Sequence, residues 1–247
     1  MQRLFIDPLA EHLRNQGHLV YQNWGFRRKI SFFDLFSILR VWWTLKILNI
    51  DVLHVQTAKA GGIGRIAAFL AGTKRVVYTM HDVPWHSARS ERRRRLYIRL
   101  EWLLAKLCHA ITTDSPDGRN QGLTYGIAPL RKFHVIPVGV DTEKFAPLPR
   151  PASPILVMGV VARLVPDKGL DIWLRVLAVL KMGRIPVRGL IVGTGPLRRD
   201  LEKLAFHLGL STFVTFLGDQ DDVRPALHMM DVFVLPTKRE GLSVAVM

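Results

Sequence analysis

The sequence carries one cysteine, Cys108, so it can close no internal disulfide. It also lacks any Cys-x-x-Cys pair or Cys/His cluster of the kind that holds structural zinc. A disulfide-framed secreted domain is excluded, and a reducing, cytoplasmic compartment is expected. Long apolar runs are missing. The most apolar stretch, residues 30–55, is broken by Asp34, Arg40, Lys46 and Asp51, so no uncharged run reaches the ~18 residues of a membrane-spanning helix. No secretory leader is legible, because Asp7 and Pro8 interrupt the short apolar run at the start and no small-residue cleavage site follows. Acidic residues are scarce. There are 20 Asp+Glu against 35 Lys+Arg, a formal net charge of +15. Most of the excess sits in residues 1–150, which hold 23 Lys/Arg and 11 Asp/Glu. Such a half favours anionic membrane, phosphorylated substrates or nucleic acid. No helix-turn-helix, zinc finger or aromatic RNA-binding strand is present, so nucleic acid is not an expected partner.

Of the 247 residues 49% are hydrophobic, enough for one large core or two modest ones. Short apolar runs at 52–56, 75–80, 110–113 and 132–136 read as buried strands. Helical periodicity at 5–15, 31–48, 64–70 and 91–107 alternates with them. Such alternation predicts βαβ units and a parallel sheet. Residues 145–154, FAPLPRPASP, read as a linker. The pattern then restarts, with strands at 155–161, 190–192, 213–216 and 232–235 and helices at 170–180 and 197–208. The expected organisation is a Rossmann-like domain over 1–146, a proline-rich linker over 147–154 and a second Rossmann-like domain over 155–247. The chain opens inside a helical pattern and stops inside an apolar one with no cap, so a longer protein is expected.

Residues 159–169, GVVARLVPDKG, follow a strand pattern directly. Arg163 and Lys168 fall in the loop at its carboxyl end, where open α/β sheets bind ligands. Two cations beside a helix N-terminus suit a diphosphate, because guanidinium forks match phosphate oxygens. A solvated turn that uses Gly169 for its backbone freedom is the plainer alternative. Gly193 and Gly195 in IVGTGP would let backbone approach a ligand, or merely tighten a turn. In LPTKREGLS, Glu240 precedes Gly241, Leu242 and Ser243 at an expected helix start. Free N–H groups there suit an anion, and the carboxylate suits sugar hydroxyls. An acid favoured by the helix dipole would look the same. His81, directly after a strand, is placed to donate to a phosphate or a reacting oxygen, although a lone histidine is more often structural.

Three further patterns compete for notice. Gly62, Gly64 and Ala67 fit G-x-G-x-x-A, with Asp82 at the spacing of a ribose-binding acid, so an NAD-type oxidoreductase stands as the rival reading. Asp219 and Asp221, with Asp222, contain a D-x-D that reads as a solvated turn and helix cap, and no metal is expected. Arg92, Arg93, Arg94 and Arg95 lead into a basic, amphipathic helix that includes Trp102, while Trp42 and Trp43 lie in another, very apolar one. Basic residues beside Trp and Leu suit an anionic membrane or a phospholipid-linked acceptor, as well as a solvated helix face.

Taken in order, six segments resemble glycosyltransferase family 4, the retaining GT-B enzymes, over nearly the whole chain. They are DVLHVQTAKAGGIGRIAAFLAGTKRVVYTMHD, ITTDSPDGRNQGLTYGIAPLRKFHVIPVGVDTEKFAP, GVVARLVPDKGLD, IVGTGPLR, FLGDQDDV and DVFVLPTKREGLSVAVM. Val138 stands where the family usually has Asn. The resemblance implies an α/β GT-B fold, two Rossmann-like doubly wound parallel-sheet domains facing a cleft, both incomplete here. It implies a nucleotide-sugar donor such as a UDP- or GDP-sugar, no cofactor and no metal. It also implies a glycan or lipid-linked acceptor in polysaccharide biosynthesis, met at the inner face of the cell membrane. By that resemblance Arg163 and Lys168 bind the donor diphosphate, and His81 lies near the donor sugar and phosphate. Glu240 faces the transferred sugar, Gly241, Leu242 and Ser243 lie against sugar and phosphate, and Gly193 and Gly195 lie near the nucleotide. The family's second glutamate would fall one position beyond Met247, and its opening strand and Gly-Gly loop would precede Met1. The chain as it stands is therefore expected to be weak or inactive, and a non-catalytic sugar-nucleotide or membrane-binding remnant is the other alternative.

Overall fold

The computed structural model describes residues 8–20, 31–81, 83, 85, 88, 90–149, 153–238, 240 and 242–247. The chain forms two compact units, Met1–Val135 and Ile136–Met247. The division falls ahead of the proline-rich segment, whose residues 150–152 lie outside the described ones.

Unit 1 contains α1 (Pro8–Asn15), α2 (Phe33–Ile47), β1 (Val52–Gln56), α3 (Ala58–Ala71), β2 (Arg75–Met80), α4 (Glu91–Ala105), β3 (Ala110–Thr113), α5 (Pro116–Thr124) and β4 (Phe133–Val135). The strands are all parallel, in the order β1-β2-β3-β4. A run of right-handed crossovers in one direction puts the connecting helices on one face of the sheet. That face is the apolar one: Val55, Val76, Tyr78, Met80, Ile111 and Phe133 join a single core. The alternate strand positions carry His54, Gln56, Thr79 and Thr112, so the other face is polar. Local signals set the helix ends. Ser90 and Ser115 accept N–H bonds from Arg93 and Gly118, Pro116 fits the first turn of α5, and Gly72 closes α3 in a left-handed conformation.

The structure corrects the dinucleotide reading. Helix α3 begins at Ala58, so Gly62 and Gly64 lie inside a helix with their N–H groups engaged in it, not in a loop that cradles a pyrophosphate. Gly64 serves close packing, because a Cβ there would stand 2.4 Å from Val55 Cγ1. Asp82 lies outside the described residues. Gly64→Ala is expected to cost about 1–3 kcal/mol through overpacking, read as a lower urea midpoint at unchanged slope.

Unit 2 contains β5 (Leu156–Val161), a 3-10 turn (Pro166–Lys168), α6 (Leu170–Met182), β6 (Val187–Val192), α7 (Arg198–His207), β7 (Val214–Gly218), α8 (Arg224–His228) and β8 (Val232–Phe233). Its parallel strands run in the order β7-β6-β5-β8. Trp173, Leu174 and Leu177 of α6 close over Met158, Val160 and Ile191, with Leu201 and Leu210 completing the core.

Candidate functional site

Strand order positions the site in unit 2. From β5 the chain winds outward through β6 and β7, then returns to lay β8 on the other side of β5. The loops leaving β5 and β8 therefore meet at the carboxyl ends where the winding reverses, the place at which open α/β sheets bind ligands. Leu164, fully buried, pins the loop after β5. Its N–H donates to Thr194 O at 3.0 Å and its carbonyl accepts from Leu197 N at 3.1 Å. Arg163 beside it stays exposed, with no side-chain partner among the described residues. Lys168 ends the 3-10 turn and forms an ion pair with Glu240 from the loop after β8. The same two loops are stitched by backbone: Asp167 O accepts from Lys238 N at 2.8 Å and from Thr237 Oγ1 at 3.1 Å.

The structure thus brings Lys168 and Glu240 together and leaves Arg163 open. It gives Gly193 a packing role, because its φ is +122° and a Cβ would stand 2.1 Å from Ala162 O. Gly195 abuts Leu164 O in the same way, so both glycines hold the β6 loop against the β5 loop. Beyond Glu240 the expected helix does not form among the described residues. Leu242 and Ser243 lead into a single turn in which Val246 N donates to Ser243 O. Gly241 lies outside the described residues.

In unit 1, His81 follows β2 and is held from both neighbouring strands. Its Nδ1 lies 2.7 Å from Asp114 Oδ2, just past β3, and its Nε2 lies 3.0 Å from Gln56 Oε1 at the end of β1. The carboxylate accepts, so Nδ1 carries the proton; a protonated ring suits the Gln56 oxygen, and a neutral ring needs the amide turned to donate. Beneath this cluster, His54, Thr79 and Thr112 are joined by two contacts of 2.6 Å. Thr57, between Gln56 and α3, has φ +64° and ψ 156°, a region that β-branched residues avoid and that tends to mark functional sites. Asp114 and Gln56 were not legible in the sequence, since register alone brings them to His81. The one available signal was their place at strand ends.

Two sequence patterns resolve differently. Asp222 pairs with Arg224 and accepts its backbone N–H at the start of α8. The Arg224 side-chain bonds pull its pKa down to about 2. Among the arginines of α4, Arg92, Arg93 and Arg95 are exposed, whereas Arg94 turns inward to Glu91 and the Tyr125 hydroxyl. No group of three or more potential metal ligands exists among the described residues.

Two parallel-sheet α/β units, the second with cations at its switch point, place the chain in the GT-B class. It belongs to glycosyltransferase family 4. The family model described as Glycosyltransferase Family 4 matches residues 4–144, and Glycosyl transferases group 1 matches residues 155–247. Among curated relatives, the Escherichia coli UDP-Gal:alpha-D-GlcNAc-diphosphoundecaprenol alpha-1,3-galactosyltransferase is 31% identical over 97% of this chain and 65% of its own length. The GDP-mannose-dependent alpha-(1-6)-phosphatidylinositol monomannoside mannosyltransferase of Mycolicibacterium smegmatis is 37% identical over 45% of this chain and 32% of its own. The chain thus spans at most 65% of the length of these two relatives. Among solved structures, Anabaena Alr3699/HepE in complex with UDP and glucose superposes with a TM-score of 0.75 at 21% identity, covering 94% of this chain and 65% of that one. At that identity the likeness shows the fold.

Proposed function

We propose that the chain transfers a sugar, with retention of configuration, from a UDP- or GDP-sugar to a lipid-linked or polysaccharide acceptor in cell-surface glycan biosynthesis, on the cytoplasmic side of the membrane. The observation that carries this reading is the switch-point group in unit 2: Arg163 without a side-chain partner among the described residues, and Lys168 paired with Glu240. Breaking a sugar–phosphate bond builds negative charge on the leaving diphosphate and positive charge on the sugar ring. Arg163 and Lys168 stabilise the first, which lets the site work without a metal or cofactor. Glu240 faces the sugar and releases Lys168 as the diphosphate arrives. Leu242, Ser243 and the backbone at Gly193 and Gly195 line the donor. His81, oriented by Asp114 and Gln56, donates to the donor sugar or phosphate. The acceptor hydroxyl attacks from the face the diphosphate leaves, and the departing phosphate takes its proton.

The activities named for both curated relatives support a nucleotide-sugar donor and a lipid-linked acceptor. The NAD-type alternative loses its basis once Gly62 and Gly64 lie inside α3. Calorimetric titration of the chain with UDP, GDP and NAD tests the reading. Saturable heat with one nucleoside diphosphate and none with NAD is expected, and NAD binding alone would overturn it.

A further inference from the structure

Helix α6 is apolar on two sides. Leu170, Trp173, Leu174 and Leu177 are buried in the unit 2 core. The solvent side carries Ile172, Val176, Val179 and Met182, three or four residues apart and between 42 and 83% exposed. Ile185 is exposed just past the helix end. From Ile172 to Met182 the stripe is ~15 Å long at 1.5 Å per residue. A single apolar residue on a helix surface needs no explanation, but a row of four does.

Further winding of the sheet does not cover this row. The crossovers from β5 to β6 and from β6 to β7 run one way, so α6 and α7 share one face of the sheet. The return to β8 puts α8 on the other face, where Ala226 packs with Leu190 and Val192. Any βα unit wound on beyond β8 would add its helix to that second face.

The charges at the two ends of α6 select a second copy. Asp171 is exposed in the first turn, and Arg184 is exposed two residues past the end. Neither has a side-chain partner among the described residues. Consider two α6 helices packed antiparallel about a two-fold axis, centred between residues 177 and 178. Val176 then lies opposite the partner's Val179, and Asp171 opposite the partner's Arg184. Symmetry makes each contact twice, and the helix dipoles oppose one another favourably. A parallel pair would set Asp171 against the partner's Asp171 instead. Unit 2 does not resist self-association, since residues 136–247 hold 14 Lys/Arg against 11 Asp/Glu. An anionic bilayer would meet an aliphatic row with no aromatic anchor and with Asp171 beside it, and nucleic acid would find no row of cations.

We propose that the solvent side of α6 is a self-association surface, through which two copies of the chain pair as an antiparallel, two-fold symmetric dimer. One helix pair is a small contact, below the ~1,200 Å² of standard interfaces, so a dissociation constant of about 10–100 µM is expected. The surface stands independently of the transfer reading, because none of its residues belongs to the switch-point group.

Sedimentation velocity of the chain over a concentration series up to about 500 µM, well above that constant, tests it. The wild type is expected to pass from monomer to dimer. Val179→Lys/Met182→Lys should weaken the dimer about tenfold or more, by setting like charges across the axis. Asp171→Arg should weaken it several-fold, and the exchange Asp171→Arg/Arg184→Asp should restore it to within about threefold of wild type. All four positions are exposed, so unchanged thermal melts would show that folding is intact. A wild type that stays monomeric throughout overturns the proposal and leaves the row to a different partner. A dimer that persists in Val179→Lys/Met182→Lys also overturns it, because the contact would then lie elsewhere. Failure of the charge exchange to restore the dimer overturns the antiparallel pairing.

Discussion

Arg163→Ala is expected to weaken binding of the nucleoside diphosphate, UDP or GDP, by about thirtyfold, from loss of about 2 kcal/mol of charge-assisted hydrogen bonding to the diphosphate. The guanidinium has no partner among the described residues, so its removal leaves no buried group stranded and the fold should hold. Calorimetry reads the affinity, and a thermal melt checks the fold. Glu240→Gln should act in the opposite sense. Lys168 is paired with Glu240, so a diphosphate must compete with that carboxylate for the ammonium. Neutralising it should raise UDP affinity several-fold while lowering transfer, because the donor sugar loses the group that faces it. Affinity that falls in both variants would mean that Glu240 holds the nucleotide itself.

The second large effect lies far from the strand ends. Arg65 is 0% exposed and forks onto Glu101, with contacts of 2.7 and 3.1 Å. Its Nε donates to Gly61 O, and its guanidinium lies 3.9 Å from the Tyr78 ring centre. The pair ties α3 to α4 over the sheet. Glu101→Ala leaves a buried charge without its counterion and should cost about 3–5 kcal/mol, whereas the double change Arg65→Met/Glu101→Leu should be close to neutral. Cys108 provides the readout. It is buried, and burial pushes its thiol pKa up, so it reacts slowly while unit 1 is folded. Labelling of Cys108 by a thiol reagent should accelerate at least about a hundredfold in Glu101→Ala and little in the double variant.

The strands that were plain in the sequence are those with unbroken apolar runs, such as 75–80 and 156–161. Strand β6 starts at Val187, earlier than expected, because Arg188 and Gly189 interrupt its pattern; Gly189 is there to admit Trp173 and Leu177. Helix α3 was read as starting at Gly64 because its first turns hold Gly61 and Gly62, poor helix formers that packing against the sheet overrides. Helix α5 has no signal in the periodicity, for its PDGRNQGLT carries no apolar stripe, and only the resemblance of the 111–147 segment implies it. Motif order singles out Arg163, Lys168 and Glu240 in unit 2 and His81 in unit 1. The partners that Lys168 and His81 find within their own units are tertiary, and no spacing rule yields them. The Lys168–Glu240 pair joins positions 72 apart, and Asp114 reaches His81 only through the β2–β3 register.

The central claim is that the loops leaving β5 and β8 hold a sugar nucleotide by its diphosphate. Phosphorus NMR of UDP and of GDP, each titrated with the purified chain, tests it most directly. Both phosphorus resonances of one of the two should shift or broaden with the wild-type chain, and much less with Arg163→Ala/Lys168→Ala. Equal perturbation by the double variant, or none of either nucleotide by the wild type, would contradict the assignment.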